Sequence, residues 1–314
     1  MPTPIRIGFI LVPGYSLMSM AAAVEPLRAA NLLAGRVLYD VRHLSTSGGF
    51  VASTSGGGFQ TEPVSQARQL DLALIVAGGN PIQHRDTELM RALRTLAQKW
   101  RIPLGGISGG AAILARAGLM EGRRFTLHWA HIDALSELMP NLLIERALFV
   151  IDRDRHSCAG GIAALDMMCA NIARDHGPTF AREVADWFIH TRPRLADEPQ
   201  LSPTAARFGL RHPTLVRAVD LMFANLADPL SPSDIARAVG SSQRQLGRLF
   251  NAELGQPLSA FYRHMRLKKA DELILQSGLS MLDISLLTGF GSAAHFSRAY
   301  AAKFGISPTA RRRG

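Results

Sequence analysis

Ser108 stands between two glycine pairs in "GGISGGAAILARAG" (105–118), where a short apolar run gives way to a helical pattern, and His128 follows twenty residues later. A serine and a histidine are the parts of an acyl-transfer pair. A serine has no accessible pKa to depress, however, so it needs the histidine within hydrogen-bond reach and oriented by a third group. The same turn admits two other readings. It can floor a binding pocket, because N–H groups at the start of the helix around Gly109 and Gly110 can hold a carboxylate without side-chain charge, or it can be a tight turn alone. The expectation is binding, with no catalytic residue. A second glycine nest, "CAGG" (158–161), adds Gly160, and Gly78 and Gly79 close the set from the end of a neighbouring strand. His128 and Trp129 add a hydrogen bond and an aromatic face for a cationic group, with an ordinary satisfied histidine and a core tryptophan as the alternatives. Cys158 and Cys169, eleven apart and without a second pair or matching histidine, indicate neither a disulfide framework nor a zinc site. They read as buried packing residues in a reducing, cytoplasmic protein with no metal or cofactor.

The last third carries a different chemistry. Of 35 Lys/Arg and 25 Asp/Glu, residues 211–314 hold 14 and 7, a net +7 of the chain's +10, which points to a polyanion partner. In "SPSDIARAVGSSQRQLGRLF" (231–250) the apolar and small residues keep helix-turn-helix spacing: Ile235 and Val239, small Ala236, a turn at Gly240, then Leu246 and Leu249. Two helices that cross closely need the small residue, and the turn suits glycine. Ser241 is placed to cap the second helix, whose exposed face carries Gln243, Arg244, Gln245 and Arg248.

The pattern returns in "DISLLTGFGSAAHFSRAYAAKFG" (283–305). Ile284 and Gly289 match Ile235 and Gly240 at an offset of 49, and Phe296, Arg298, Tyr300 and Gly305 match Leu246, Arg248, Phe250 and Gly255 at an offset of 50. This is an internal duplication. Residues 259–277 between the copies read as one helix of about 19 residues, roughly 28 Å long. That is close to the roughly 34 Å between successive major grooves on one face of DNA, so one chain can insert both recognition helices.

The elements that must position these residues follow from periodicity. "RIGFILV" (6–12), "YDVRHLST" (39–46), "DLALIVAGG" (71–79) and "IPLGGIS" (102–108) read as strands, alternating with helical patterns at 18–33, 86–100 and 110–117. Near-continuous apolar strands separated by helices predict a parallel sheet covered on both faces, an α/β domain. "STSGGFVASTSGGGF" (45–59) reads as a glycine-rich loop or hairpin. Residues 190–213, with four prolines and weak periodicity, read as a linker, and everything after Pro213 reads as helix. The expected organisation is an α/β domain over 1–190, a linker over 191–212 and a helical, basic domain over 213–314. The N-terminal apolar run is cut by Pro13-Gly14, which favours a buried first strand over a signal peptide. No segment approaches the about 20 apolar residues of a membrane span.

On these residues the basic third resembles the DNA-binding domain of the AraC/XylS family of transcriptional regulators, including Gly289-Phe290 after the second turn and the closing "FGISP" (304–308). The resemblance implies double-stranded DNA with paired half-sites in promoters as partner, read by Ser242, Gln243, Arg244 and Arg248 on the first recognition helix. Arginine can take guanine bidentately. Ser292, His295, Ser297 and Arg298 serve on the second, where Ala293 and Ala294 imply less direct readout. Lys268, Lys269, Lys303 and Arg311 to Arg313 read as phosphate contacts or solvated charge.

The first 190 residues resemble the class I glutamine amidotransferase-like superfamily in its ThiJ/PfpI branch, on "GGISGGAAILARAG", "IVAGG" and "FTLHW" (125–129). That implies a flavodoxin- or amidotransferase-like parallel-sheet sandwich. In the enzymes of that branch a cysteine stands where this chain has Ser108, with a histidine matching His128. The supporting acidic residue would fall near Ser19, where there is no carboxylate; Glu25 lies about two turns further on. Together the halves resemble the GlxA-like subgroup of AraC-type regulators, with "AAAVEPLRAAN" (21–31), "CAGGIAALDMM" (158–168) and "ARDHG" (173–177) in support. The resemblance implies a cytoplasmic homodimer, an activator of a catabolic operon working with RNA polymerase. Its effector is a small carboxylated or nitrogenous metabolite, bound at Gly79, Ser108, Gly109, Gly110, His128, Trp129 and Gly160. The competing reading is a Ser/His hydrolase or amidase of the ThiJ/PfpI type tethered to DNA.

Overall fold

Apolar runs that end in glycine fold as strands, and the stretches between them as helices, over residues 3–313, which the computed structural model describes. The chain divides into two units, Met1–Gln200 and Leu201–Gly314. The strands of the first unit are β1 (Ile5–Leu11), β2 (Tyr39–Ser45), β3 (Gly49–Ala52), β4 (Gly58–Pro63), β5 (Leu72–Ala77), β6 (Leu104–Ser108), β7 (Arg124–Phe125), β8 (Leu143–Ile144), β9 (Phe149–Asp152) and β10 (Arg155–Cys158). Its helices are α1 (Leu17–Leu33), α2 (Thr87–Arg94), α3 (Gly110–Arg116), α4 (Trp129–Leu138), α5 (Ala163–His176) and α6 (Pro178–Trp187).

Eight strands form one sheet in the order β3-β4-β2-β1-β5-β6-β10-β9, parallel through its centre, while β3–β4 and β9–β10 pair antiparallel. The glycine-rich stretch is thus a hairpin at one edge. Alternation sorts the strands between two helical layers: Ile7, Phe9, Leu11, Leu72, Leu74 and Val76 join one core with α1, α5 and α6, while Ile75 faces α3. Gly106 of β6 and Gly110 at the start of α3 allow that closeness. A Cβ on Gly106 would stand 2.1 Å from the Ala111 nitrogen, and one on Gly110 would stand 2.0 Å from the Ile75 oxygen, so α3 can fold back on its own strand only over bare backbone. Strand order reverses around β1, with β2 on one side and β5 on the other, which opens a crevice at the carboxyl ends of β1, β5 and β6.

The expected linker is not a free tether. Asp166, fully buried in α5, bonds the Arg194 backbone N–H at 2.9 Å, its guanidinium at 2.7 and 3.0 Å, and His190 Nε2 at 2.7 Å. The Leu148 N–H donates to the Ala196 oxygen at 2.9 Å. Gln200 Nε2 donates to Thr126 Oγ1 and to the Leu127 and Ala147 carbonyls at 2.7–3.0 Å. Side-chain anchors of this kind leave no periodic signature, so four prolines and weak periodicity pointed to a linker without showing that residues 190–200 are tied to the first unit.

The second unit is helical among its described residues: α7 (Thr204–Phe208), α8 (Pro213–Ala224), α9 (Pro232–Ala238), α10 (Gln243–Leu254), α11 (Leu258–Gln276), α12 (Met281–Leu287), α13 (Ala293–Phe304) and α14 (Pro308–Arg313). The two helix-turn-helix copies, α9–α10 and α12–α13, have equal helix lengths. Each recognition helix closes on a left-handed glycine, Gly255 at φ 64° and Gly305 at φ 75°. The 19-residue α11 joins them, one residue earlier in the sequence than periodicity placed it.

Candidate functional site

Ser108 ends β6 in the left-handed region at φ 59°, a conformation that costs a non-glycine residue about 1–3 kcal/mol and recurs at strained functional turns. The turn is crowded from behind. A Cβ on Gly160 would come within 2.5 Å of the Ser108 Cβ, so the glycine after β10 is what leaves room for the serine. The His128 N–H approaches the Ser108 oxygen at 3.4 Å. Gly78 packs on the loop after β1, where a Cβ would meet the Gly14 oxygen at 2.7 Å. Gly79 follows at φ 61°, exposed, at the same edge. The structure therefore brings Gly160 and His128 against Ser108, with the Trp129 ring 5.3 Å from the His128 ring, and leaves Gly79 exposed after β5.

The backbone donors expected to hold a carboxylate are largely engaged within the protein. The Gly109 N–H bonds the Ala77 oxygen at 3.0 Å. The Gly161 N–H bonds Ser19 Oγ at 2.7 Å, and the N–H groups of Ser108 and Gly160 face the Cys158 sulfur. Gly109, which abuts Pro81, and Gly110, against β5, are both close-packing positions, and of the two it is the Gly109 N–H that is bonded within the protein. Ser19, near which the family resemblance would put a supporting acid, is buried on α1. It accepts a hydrogen bond in that position and offers no charge.

His128 caps α4: its Nδ1 accepts the Ala130 N–H at 3.3 Å. In a neutral imidazole the proton then lies on Nε2, so the ring presents a donor and has no lone pair left for the Ser108 proton. Burial lowers its pKa and keeps it neutral. Neighbouring His131 is lowered to about 4 by burial, with the His128 ring adding to the effect. Burial pushes both thiols, Cys158 and Cys169, up to about 12, so neither supplies a thiolate. The turn keeps the backbone of a nucleophile elbow without a base, an acid or a free oxyanion donor at Gly109. The polar and aromatic groups gathered at the turn are the Ser108 hydroxyl, the His128 imidazole and the Trp129 ring.

In the second unit the two recognition helices present matching faces. Ser242, Gln243, Arg244, Gln245 and Arg248 are exposed on α10, with Leu246 and Phe250 buried beneath. On α13, Ser292, Ala294, His295 and Arg298 are exposed and Ser297 half-buried, over Phe296 and Tyr300. The cap of α10 is Ser242 rather than Ser241. Its Oγ accepts the Gln245 N–H at 3.2 Å, as Ser292 Oγ accepts the His295 N–H at 3.2 Å. Ser241 instead bonds the Ala236 oxygen through its N–H, continuing the turn. Arg311, expected as a phosphate contact or solvated charge, pairs with Asp271 at 2.9 Å, and Arg312 Nε donates to the Ile274 oxygen at 3.4 Å.

Two arginines went unnoticed in the sequence. Arg217 Nη2 donates to the Val239 oxygen at 3.3 Å, and Arg266 donates to the Thr288 and Gly289 oxygens at 2.7 and 2.6 Å. Each holds the carbonyl end of the first helix of its copy. The signal was present: 217 and 266 differ by the same 49 that relates Gly240 to Gly289.

Comparison with known proteins agrees with both halves. The model of the DJ-1/PfpI family matches residues 6–173, and a helix-turn-helix domain model matches residues 235–314. The HTH-type transcriptional regulator GlxA of Rhizobium meliloti is 43% identical over 98% of this chain and 95% of its own length. The HTH-type transcriptional regulator CdhR of Pseudomonas aeruginosa is 39% identical over 96% and 89%. Among solved structures, an AraC family transcriptional regulator from Pseudomonas putida is 30% identical with a TM-score of 0.54, covering 59% of this chain and all of that one. A ThiJ/PfpI family protein from Pseudomonas syringae, 21% identical with a TM-score of 0.52 over 76% of this chain and 90% of its own, shares the fold.

Proposed function

The chain belongs to the AraC-type transcriptional regulators whose first domain is of the DJ-1/PfpI family, and from that premise we propose that it reads paired promoter half-sites with α10 and α13 under the control of a small metabolite. The observation that carries this reading is the matched exposure of the two recognition faces. Among the described residues Arg244, Arg248 and Arg298 stand in solvent without an ion pair or hydrogen bond, while the apolar faces behind them are closed. Unengaged arginines on a helix face suit bidentate contacts to guanine. Ser242, Gln243, Ser292, His295 and Ser297 complete the DNA-facing set.

The effector site is the Ser108 turn. Ser108, His128 and Trp129 supply the contacts, Gly160 and Gly79 the shape, and Gly109 and Gly110 the close packing that holds the turn. A carboxylated or nitrogenous metabolite suits a hydroxyl, an imidazole N–H and an aromatic face together. Control requires that it favour one state of the protein over another, since equal affinity for both shifts nothing. A cytoplasmic homodimer that recruits RNA polymerase to activate a catabolic operon completes the reading. No helix among the described residues is long and apolar enough to cross a membrane.

The test is selection of bound duplexes from a random-sequence library by the full-length protein at moderate salt. The expected result is a motif of two half-sites about one helical turn apart, on which a metabolite that binds the first domain changes the affinity. Salt-sensitive retention of every sequence, with no shared motif, would reduce the protein to a phosphate binder and overturn the reading.

A further inference from the structure

We infer that Arg266 is a positioning residue for DNA reading, fixing where α13 stands relative to α10 and so the half-site spacing the protein accepts. The inference rests on the proposed paired-site reading. Arg266 lies on α11, the helix that joins the two copies. Its guanidinium holds the last carbonyls of α12 and the turn, Thr288 at 2.7 Å and Gly289 at 2.6 Å, and lies over the Phe290 ring at 4.3 Å. The equivalent residue of the first copy, Arg217, makes one bond of 3.3 Å to that turn, and Ser241 stands where the second copy has Phe290.

The second turn is also anchored to the first copy. A Cβ on Gly289 would stand 2.4 Å from Pro229 Cγ and 2.7 Å from the Leu226 oxygen, both in the connection between α8 and α9. Nearby, Tyr262 of α11 donates its hydroxyl to the Asn225 oxygen at 2.5 Å. The second turn is therefore fastened on two sides, to the joining helix by Arg266 and to the first copy by the packing of Gly289. The first turn has neither Phe nor fork. Gly291, the extra residue that changes the internal offset from 49 to 50, lets the chain reach Ser292 after Phe290 has turned inward. A planar guanidinium holding two carbonyls fixes direction as well as distance, which a single donor does not. Because α13 follows that turn directly, its aim into the groove depends on this fork.

The test uses the full-length protein and the duplex recovered by selection, alongside duplexes with one base pair inserted or deleted between the half-sites. The wild type is expected to prefer the selected spacing by about 30-fold or more, in line with the loss of a base-reading helix. In R266K and then R266Q that preference falls stepwise toward unity, with footprint protection retained at the half-site read by α10. R217Q changes the preference less. An unchanged spacing preference in R266Q overturns the proposal. So does a loss that tracks reduced helicity by circular dichroism equally in R266K and R266Q. A selection that returned no paired motif would overturn the paired-site reading first, and this proposal with it.

Discussion

The two helix-turn-helix copies are one scaffold used twice, and what separates them is chemistry at the turn and on the reading face. Burial runs in the same order from Arg244 to Phe250 on α10 and from Ala294 to Tyr300 on α13, and both helices open on a serine cap and close on a left-handed glycine. The first copy puts glutamines and arginines outward and holds its turn loosely. The second puts alanines, a histidine and one arginine outward and holds its turn with Arg266, Phe290 and close packing at Gly289. On the proposed reading this is a division of labour, in which α10 would carry the base chemistry and α13, more firmly held at its turn, would carry less of it.

The largest effect that would sharpen this contrast is at the turn glycines. Both have positive φ, 67° at Gly240 and 71° at Gly289, so alanine costs each about 1–2 kcal/mol in backbone strain. Nothing lies within 4 Å of a Cβ at Gly240, whereas at Gly289 it strikes Pro229 and the Leu226 carbonyl, adding about 1–3 kcal/mol of overpacking. Urea unfolding of the full chain, followed through its helical signal, should show Gly289→Ala as the more damaging by that margin. Equal costs would mean that the second turn is no more tightly packed than the first.

On DNA the order reverses. Arg248→Ala should lose about 1–3 kcal/mol against the selected duplex and much less against random sequence, as removal of a bidentate base contact does. Arg298→Ala, its equivalent on α13, should lose less. Titration of both variants against both duplexes decides it, and a larger loss at Arg298 would break the division of labour. A uniform loss at Arg248 across sequences would make it a phosphate contact instead.

The smallest difference is at Tyr300, whose equivalent in the first copy is already Phe250. Its hydroxyl bonds Asp271, and burial together with that carboxylate raises its pKa. Asp271 keeps Arg311 as a partner, so Tyr300→Phe should cost about 1 kcal/mol, the worth of one hydrogen bond. A thermal melt that moved by much more would show the carboxylate left unpaired.

In the first unit the contrast runs between backbone and chemistry. The sequence identified the strand-turn-helix around Ser108, because glycine pairs and apolar runs are local features. It could not say where the N–H groups point. The Gly109 and Gly161 donors meet Ala77 and Ser19, from β5 and α1, elements distant in the chain. The His128 tautomer is set by a cap bond to Ala130 that no spacing announces. The choice of Ser242 over Ser241 as cap turned on which serine meets the Gln245 N–H while the other continues the turn, and the tying down of residues 190–200 turned on Asp166 and Gln200, single side chains in aperiodic company.

The sequence by itself determined the alternation of strand and helix, the duplication, the positions of both turns and the basic reading face. Each of these is written in residue type at short, repeating intervals. Only the tertiary structure decided which polar groups remained available. A hydrogen bond engages one partner to the exclusion of others, and that choice is made between segments far apart in the chain. It left the Ser108 turn without a base and the recognition arginines without a partner inside the protein.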